Sequence, residues 1–164
     1  MIDSIGITTT IDELDVLYNS NPLQATYFSK LAVLELCGWL ELTMDCIVNE
    51  CANSKLSLQS NKDFFEKKVV DSTFGFHYDQ HFRPMLMKLI GLIKLEQIES
   101  GLITSGELSI LESHLGTLNQ TRRRAAHTSI VGATVTYEAP SKIRQYLNTL
   151  FPILKKFETA LQII

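Results

Sequence analysis

The stretch Arg122-Arg123-Arg124-Ala125-Ala126-His127 brings three guanidinium groups and one imidazole close together in the chain. A guanidinium stays charged at every accessible pH and forks onto phosphate oxygens. An imidazole titrates near neutrality and can take or give a proton. Together they offer what scission of an RNA phosphodiester needs. The ribose 2′-hydroxyl loses a proton as it attacks phosphorus, the leaving 5′-oxygen gains one, and the charge growing on the non-bridging oxygens is stabilised. That route requires no metal. On an ideal helix Arg122 and His127 are about 500° of turn apart and stand roughly 140° from one another, close enough for long side chains to converge at a helix end. Arg123 and His127 share a face directly. The same residues also fit a plainer reading, in which cations near a helix C-terminus complement its dipole and a lone histidine caps its carbonyls.

The elements that must hold these residues read as helices. Ser105-Gly106-Glu107 begins one that runs from about 106 to 128 and carries the Arg-to-His stretch in its last turns. A long helix over 22–52, opened by Pro22, is apolar around most of its circumference, and Glu35, Gly38, Glu41, Asp45 and Asn49 form one narrow polar stripe on it. A helix of that kind belongs in the middle of a bundle. Residues 11–18 read as a short helix capped by the threonines before it, and 53–61 as a connection. A short helix over 62–70 is followed by a break at Phe74-Gly75-Phe76. Residues 78–99 read as one helix with Met85, Leu86, Leu89, Ile90, Leu92 and Ile93 on its apolar face, Pro84 in its first turns and Gly101 as its stop. Residues 129–138 read as a loop, and 140–162 as a last helix bent at Pro152. The expected fold is all-α: an antiparallel four-helix bundle with one or two additional short helices, forming a single domain over 1–164.

The composition narrows the function classes. The 164 residues are 45% hydrophobic and 20% charged, as in an ordinary globular protein with a sizeable core. A formal net charge of -3 argues against a protein that coats nucleic acid by global charge, but leaves room for local contact with RNA. Cys37, Cys46 and Cys51 form no CxxC pair and fall within one apolar helical pattern, so they are expected to be free, mostly buried thiols. No secretory leader and no membrane-length apolar run is evident, which points to a reduced, cytoplasmic setting and no membrane partner.

The segment LGTLNQTRRRAAHTS resembles the R-x4-6-H motif of HEPN domains, helical modules found in many toxin and antiviral ribonucleases. The likeness extends to the Ala-His ending and to the loop and final helix that follow. Residues 31–50, LAVLELCGWLELTMDCIVNE, are similar to the family's long helix, in which an apolar run holds an acidic residue. The nearest flavour is the RiboL-PSP group, and the resemblance covers about residues 22–162. It implies a metal-independent, cofactor-free endoribonuclease that works as a homodimer and leaves a 2′,3′-cyclic phosphate or a 3′-phosphate. Arg122 takes the place of the motif arginine and His127 that of the motif histidine. Arg123 and Arg124 are RNA-binding candidates. Arg123 stands where the family often has Asn, Asp or His. Glu41 is the candidate acidic partner, orienting His127 or fixing Arg122, and it also suits simple neutralisation of a buried arginine. The partners implied are an RNA substrate, a second copy of the chain and a cognate antitoxin or regulatory protein. The alternative is a non-catalytic HEPN module that binds nucleotide or RNA or scaffolds a partner.

Other signals are weaker. His77-x3-His81, with Asp79 between, has metal-pair spacing but no third ligand, and reads as solvent-facing or capping histidines. His114 reads as a surface residue. Trp39 and the phenylalanines fit core periodicity better than a base-stacking platform.

Overall fold

The computed structural model describes residues 1–128 and 136–164. Among these the chain is all-α, with no strand. The helices are α1 (Ile5–Ser20), α2 (Ala25–Lys55), α3 (Gln59–Phe65), α4 (Arg83–Thr104), α5 (Glu107–His127) and α6 (Pro140–Ile163). A 3-10 turn at Pro22–Gln24 leads into α2, π-helical turns extend α3 over Glu66–Val70, and another precedes α4 over Tyr78–Phe82.

α2 is the central element, touching α1, α3, α4, α5 and α6. Ala32, Val33, Leu36, Cys37, Leu40, Met44, Ile47 and Val48 are buried along it, while Glu35 is exposed and Glu41, Asp45 and Asn49 are half-buried, so the polar stripe is real. Direction follows from paired contacts. Lys30 reaches Thr128 and Cys37 reaches Leu118, so α5 runs against α2. Asp15 accepts from the Ser141 amide and Asp12 pairs with Arg144, so α1 runs against α6. Trp39 packs on Phe151 and the Cys51 thiol meets the Leu161 carbonyl, so α2 and α6, distant in sequence, run the same way.

Several expectations change. α1 starts before the threonines instead of after them. The Thr9 and Thr10 hydroxyls bond back to the Ile5 and Gly6 carbonyls, so these residues serve inside the helix and not as its cap. The second change is in the helix expected over 78–99. Gly91 takes φ 76° and ψ 162°, a conformation open in practice only to glycine, and breaks the apolar run. Were residues 83–104 one straight helix, Arg83 and Glu99 would stand about 24 Å apart. They pair at 2.6 Å, so α4 doubles back on itself into arms over 83–90 and 92–104. Leu92 and Ile93, at the apex, are exposed instead of packed. Third, Gly101 does not stop the second arm, which continues to Thr104. The chain turns instead at Gly106, in the left-handed region at φ 74°. Fourth, His114 is half-buried edge-on against Tyr146, with ring centroids 4.9 Å apart.

The connection expected over 53–61 shrinks to 56–58, because α2 continues to Lys55 and α3 begins at Gln59. Pro140 opens α6 and Pro152 lies inside it. Of the expected loop 129–138, residues 136–138 are non-helical and 129–135 lie outside the described residues. Cys37, Cys46 and Cys51 are free thiols.

Candidate functional site

The Arg-to-His stretch occupies the last turns of α5, as its position after an amphipathic helix implies. Leu111, Leu115, Leu118 and Ala125 face the core and set the rotation of the helix. That rotation turns Arg122 toward α2, where its guanidinium Nη2 lies 3.2 Å from Glu41 Oε2. The guanidinium also stands over the Phe76 ring at 5.8 Å from its centroid, within cation–π range. Phe76 is fully buried, so Arg122 rests on a fixed apolar floor with an anionic neighbour at one side and part of its surface open.

The other motif residues are open to solvent. Arg123, Arg124 and His127 are exposed, and among the described residues none of them forms an ion pair. His127 ends α5 one residue before Thr128, whose carbonyl accepts from Lys30 Nζ at 2.9 Å. Of the roles weighed for Glu41, the observed contact is with Arg122. Among the described residues Glu41 makes no hydrogen bond or ion pair with His127.

The surroundings of Glu41 are polar and crowded. One turn along α2, Asp45 Oδ1 is buried without a hydrogen-bond partner among the described residues. Burial, reinforced by the Glu41 and Asp71 carboxylates, pushes the Asp45 carboxyl up to about 6. On the apolar side, burial pushes the Cys37 thiol up to about 12 despite the opposing pull of Arg122, so this cysteine is an inert core residue.

A further imidazole belongs to this neighbourhood. The π turn Tyr78–Phe82 is anchored by an aromatic cluster. Tyr78, Phe82 and Phe157 are buried with ring centroids 5.3 to 6.3 Å apart. With Tyr78 and Phe82 turned inward, His77 and His81 share the adjoining side of the turn. His81 is half-buried, its Nδ1 accepts a hydrogen bond from the His77 backbone amide at 3.1 Å, and its charge environment includes Glu41 and Arg123. Sequence reasoning set this residue aside. The available signal was the glycine in Phe74-Gly75-Phe76 just ahead of two histidines four apart. Among the described residues, no three His, Cys, Asp or Glu side chains gather to hold a metal ion, and no helix is long and apolar enough to cross a membrane.

No family model matches the chain, and neither the curated proteins nor the solved structures give a match. The functional reading therefore rests on the residues themselves.

Proposed function

We propose that the protein is a metal-independent endoribonuclease of the HEPN type, working as a homodimer in a toxin or anti-phage defence system. The observation that carries this reading is the mounting of Arg122: a guanidinium held by Glu41, floored by Phe76 and still partly open, on the helix end that also presents His127. In the proposed reaction Arg122 forks onto the non-bridging oxygens of the scissile phosphate and stabilises their developing charge. His127 takes the 2′-hydroxyl proton as that oxygen attacks phosphorus. The bond to the 5′-oxygen breaks, and a second imidazole returns a proton to it. A second copy of the chain across a two-fold axis supplies that imidazole. Exposed Arg123 and Arg124 extend the contact along the RNA backbone.

An exposed apolar row supports the dimer. Leu23 in the 3-10 turn and Tyr27 and Leu31 in the first turns of α2 recur at helical spacing, next to the end of α5, and are 101%, 51% and 42% exposed. A regulatory protein such as an antitoxin is proposed to silence the enzyme by covering this end of the bundle.

The test is incubation of the pure protein with total RNA, with and without EDTA. Cleavage that survives EDTA and leaves 2′,3′-cyclic phosphate ends is expected, and it is lost in His127→Ala and Arg122→Ala. The second reading, a non-catalytic HEPN module that binds nucleotide or RNA or scaffolds a partner, draws on one observation: Glu41 already neutralises the Arg122 charge. It requires a folded protein that binds RNA or a partner protein and leaves tRNA and mRNA intact.

A further inference from the structure

The loop before α4 is shaped around one imidazole. Gly75 has φ +127°, a backbone conformation that side-chain-bearing residues rarely adopt. A Cβ placed there would lie 2.9 Å from Cε1, 3.1 Å from Nδ1 and 3.2 Å from Nε2 of His81, so the ring lies flat against the bare glycine backbone. The next two residues complete the seat. Phe76 is the floor beneath Arg122, and the His77 amide donates to His81 Nδ1. A single three-residue segment thus positions both the guanidinium and the imidazole.

The hydrogen bond also sets the tautomer. A ring whose Nδ1 accepts from an amide carries its proton on Nε2 when neutral, so Nε2–H is the group left to meet a ligand. Protonation at Nδ1 would break the His77 contact. Burial, with the His77 and Arg123 charges, holds the His81 pKa below its usual value against the opposing pulls of Glu41 and the His77 backbone. The charged and titratable groups that act on the ring include His77 on its own turn, Glu41 on α2 and Arg123 on α5, and Arg122 stands over the adjoining Phe76.

We propose that His81 contacts the substrate at the Arg122 site, with its Nε2–H donating to a non-bridging oxygen of a bound RNA phosphodiester. The inference rests on the RNA reading of that site and adds a residue outside the Arg122–His127 motif. It also gives a reason for Gly75: the bare backbone packs flat on one face of the ring and fixes the plane in which Nε2–H points.

The test uses the full chain and a 2′-O-methyl oligoribonucleotide, which binds but lacks the attacking hydroxyl. Histidine-ring nitrogen–proton spectra are recorded as the oligonucleotide is added. The His81 ring signals should shift, and the shift should vanish in Arg122→Ala. His81→Phe keeps a ring on Gly75 and removes the donor, so it should weaken binding about ten-fold. His81→Gln restores an amide donor near Nε2 and should bind within about three-fold of wild type. Thermal melts establish that both variants fold, and a defect in His81→Phe that His81→Gln rescues cannot come from lost packing. Ring signals that ignore the oligonucleotide, or full-strength binding by His81→Phe, overturn the proposal. A wild-type protein that cleaves RNA while His81 stays silent defeats this inference alone. One that engages RNA through His81 without cutting it defeats the nuclease reading alone.

Discussion

The Glu41 carboxylate and the Arg122 guanidinium, from the middle of α2 and the end of α5, meet at 3.2 Å with side chains 21% and 38% exposed. A pair this open to water contributes at most about 1 kcal/mol to the fold. Its value is positional, because it fixes a flexible arginine above Phe76. Arg122→Ala should therefore fold with a stability loss of no more than about 1 kcal/mol, yet lose roughly 100-fold or more in RNA cleavage. Glu41→Gln, which keeps the shape and removes the anchor, should lose about ten-fold. Urea unfolding and a fluorogenic RNA assay separate the two effects. Unfolding of Arg122→Ala, or unchanged cleavage by it, would contradict the assignment.

Asp45 gives the pH signature of the same region. Its folded-state pKa, about 6, lies above the value of roughly 4 expected for an unfolded chain. The folded protein therefore holds this proton more tightly. The resulting stabilisation is complete below pH ~4 and disappears as pH rises through about 6. Above that the buried carboxylate, facing Glu41 and Asp71, works against the fold. Asp45→Asn should be more stable than wild type by about 1 kcal/mol at pH 7.5, a figure already reduced for the half-exposed side chain. The two proteins should converge below pH 4. Denaturant titrations across that range decide it, and a variant less stable at pH 7.5 would mean that Asp45 has a stabilising partner.

Much of this site was legible in the chain. The spacing of polar residues on α2 marked one narrow stripe, and the resemblance of Trp39-Leu40-Glu41-Leu42 to the HEPN long helix singled out Glu41 on it as a candidate partner of Arg122 or His127. The Arg122 position followed from the helix that ends at His127. His81 was not legible, because its role depends on a glycine conformation and a π turn, which leave no periodic trace. The fold of α4 was missed for a similar reason. A glycine inside an apolar run reads as a tolerated helix interior, and only the Arg83–Glu99 contact reveals that the run reverses.

Glu99 holds that reversal together. It is 7% exposed and accepts from Arg83 Nε at 2.6 Å, Arg83 Nη2 at 3.2 Å and the Tyr78 hydroxyl at 2.7 Å. Burial alone would raise its pKa, but the Arg83 and Tyr78 bonds outweigh it and hold the carboxyl below its usual value. Its contribution is therefore present above the unfolded carboxyl pKa and is lost as pH falls through the lower folded value. Glu99→Ala strands a buried tyrosine hydroxyl and an arginine, and should cost about 3 kcal/mol in urea unfolding at pH 7. A loss under about 1 kcal/mol would show that the arms of α4 are held by packing alone.

Gly91 tests the backbone side of the same bend. No atom lies within 4 Å of where its Cβ would stand, so Gly91→Ala adds no clash and isolates the cost of the φ 76°, ψ 162° conformation. That cost is about 1–3 kcal/mol. Unfolding midpoints should fall accordingly with an unchanged denaturant slope. An alanine variant as stable as wild type would mean that the chain can straighten here at no expense, which the Arg83–Glu99 pair argues against.

The last prediction concerns how two copies meet. Leu23, Tyr27 and Leu31 line one side of the 3-10 turn and the first turns of α2, and the Lys30–Thr128 hydrogen bond ties those turns to the residue after His127. If this row is the contact surface, a charge within it should separate the copies without disturbing the core, since Leu31 is already 42% exposed. Wild type should scatter light as a particle of about twice the chain mass, and Leu31→Glu should scatter as a monomer with an unchanged far-ultraviolet helical spectrum. Cleavage should fall with the dimer, because one chain offers one His127 and the proposed reaction needs both an acid and a base. A wild-type monomer at micromolar concentration, or a monomeric Leu31→Glu that cuts RNA at full rate, would remove the second copy from the mechanism. The returning proton would then have to come from within one chain.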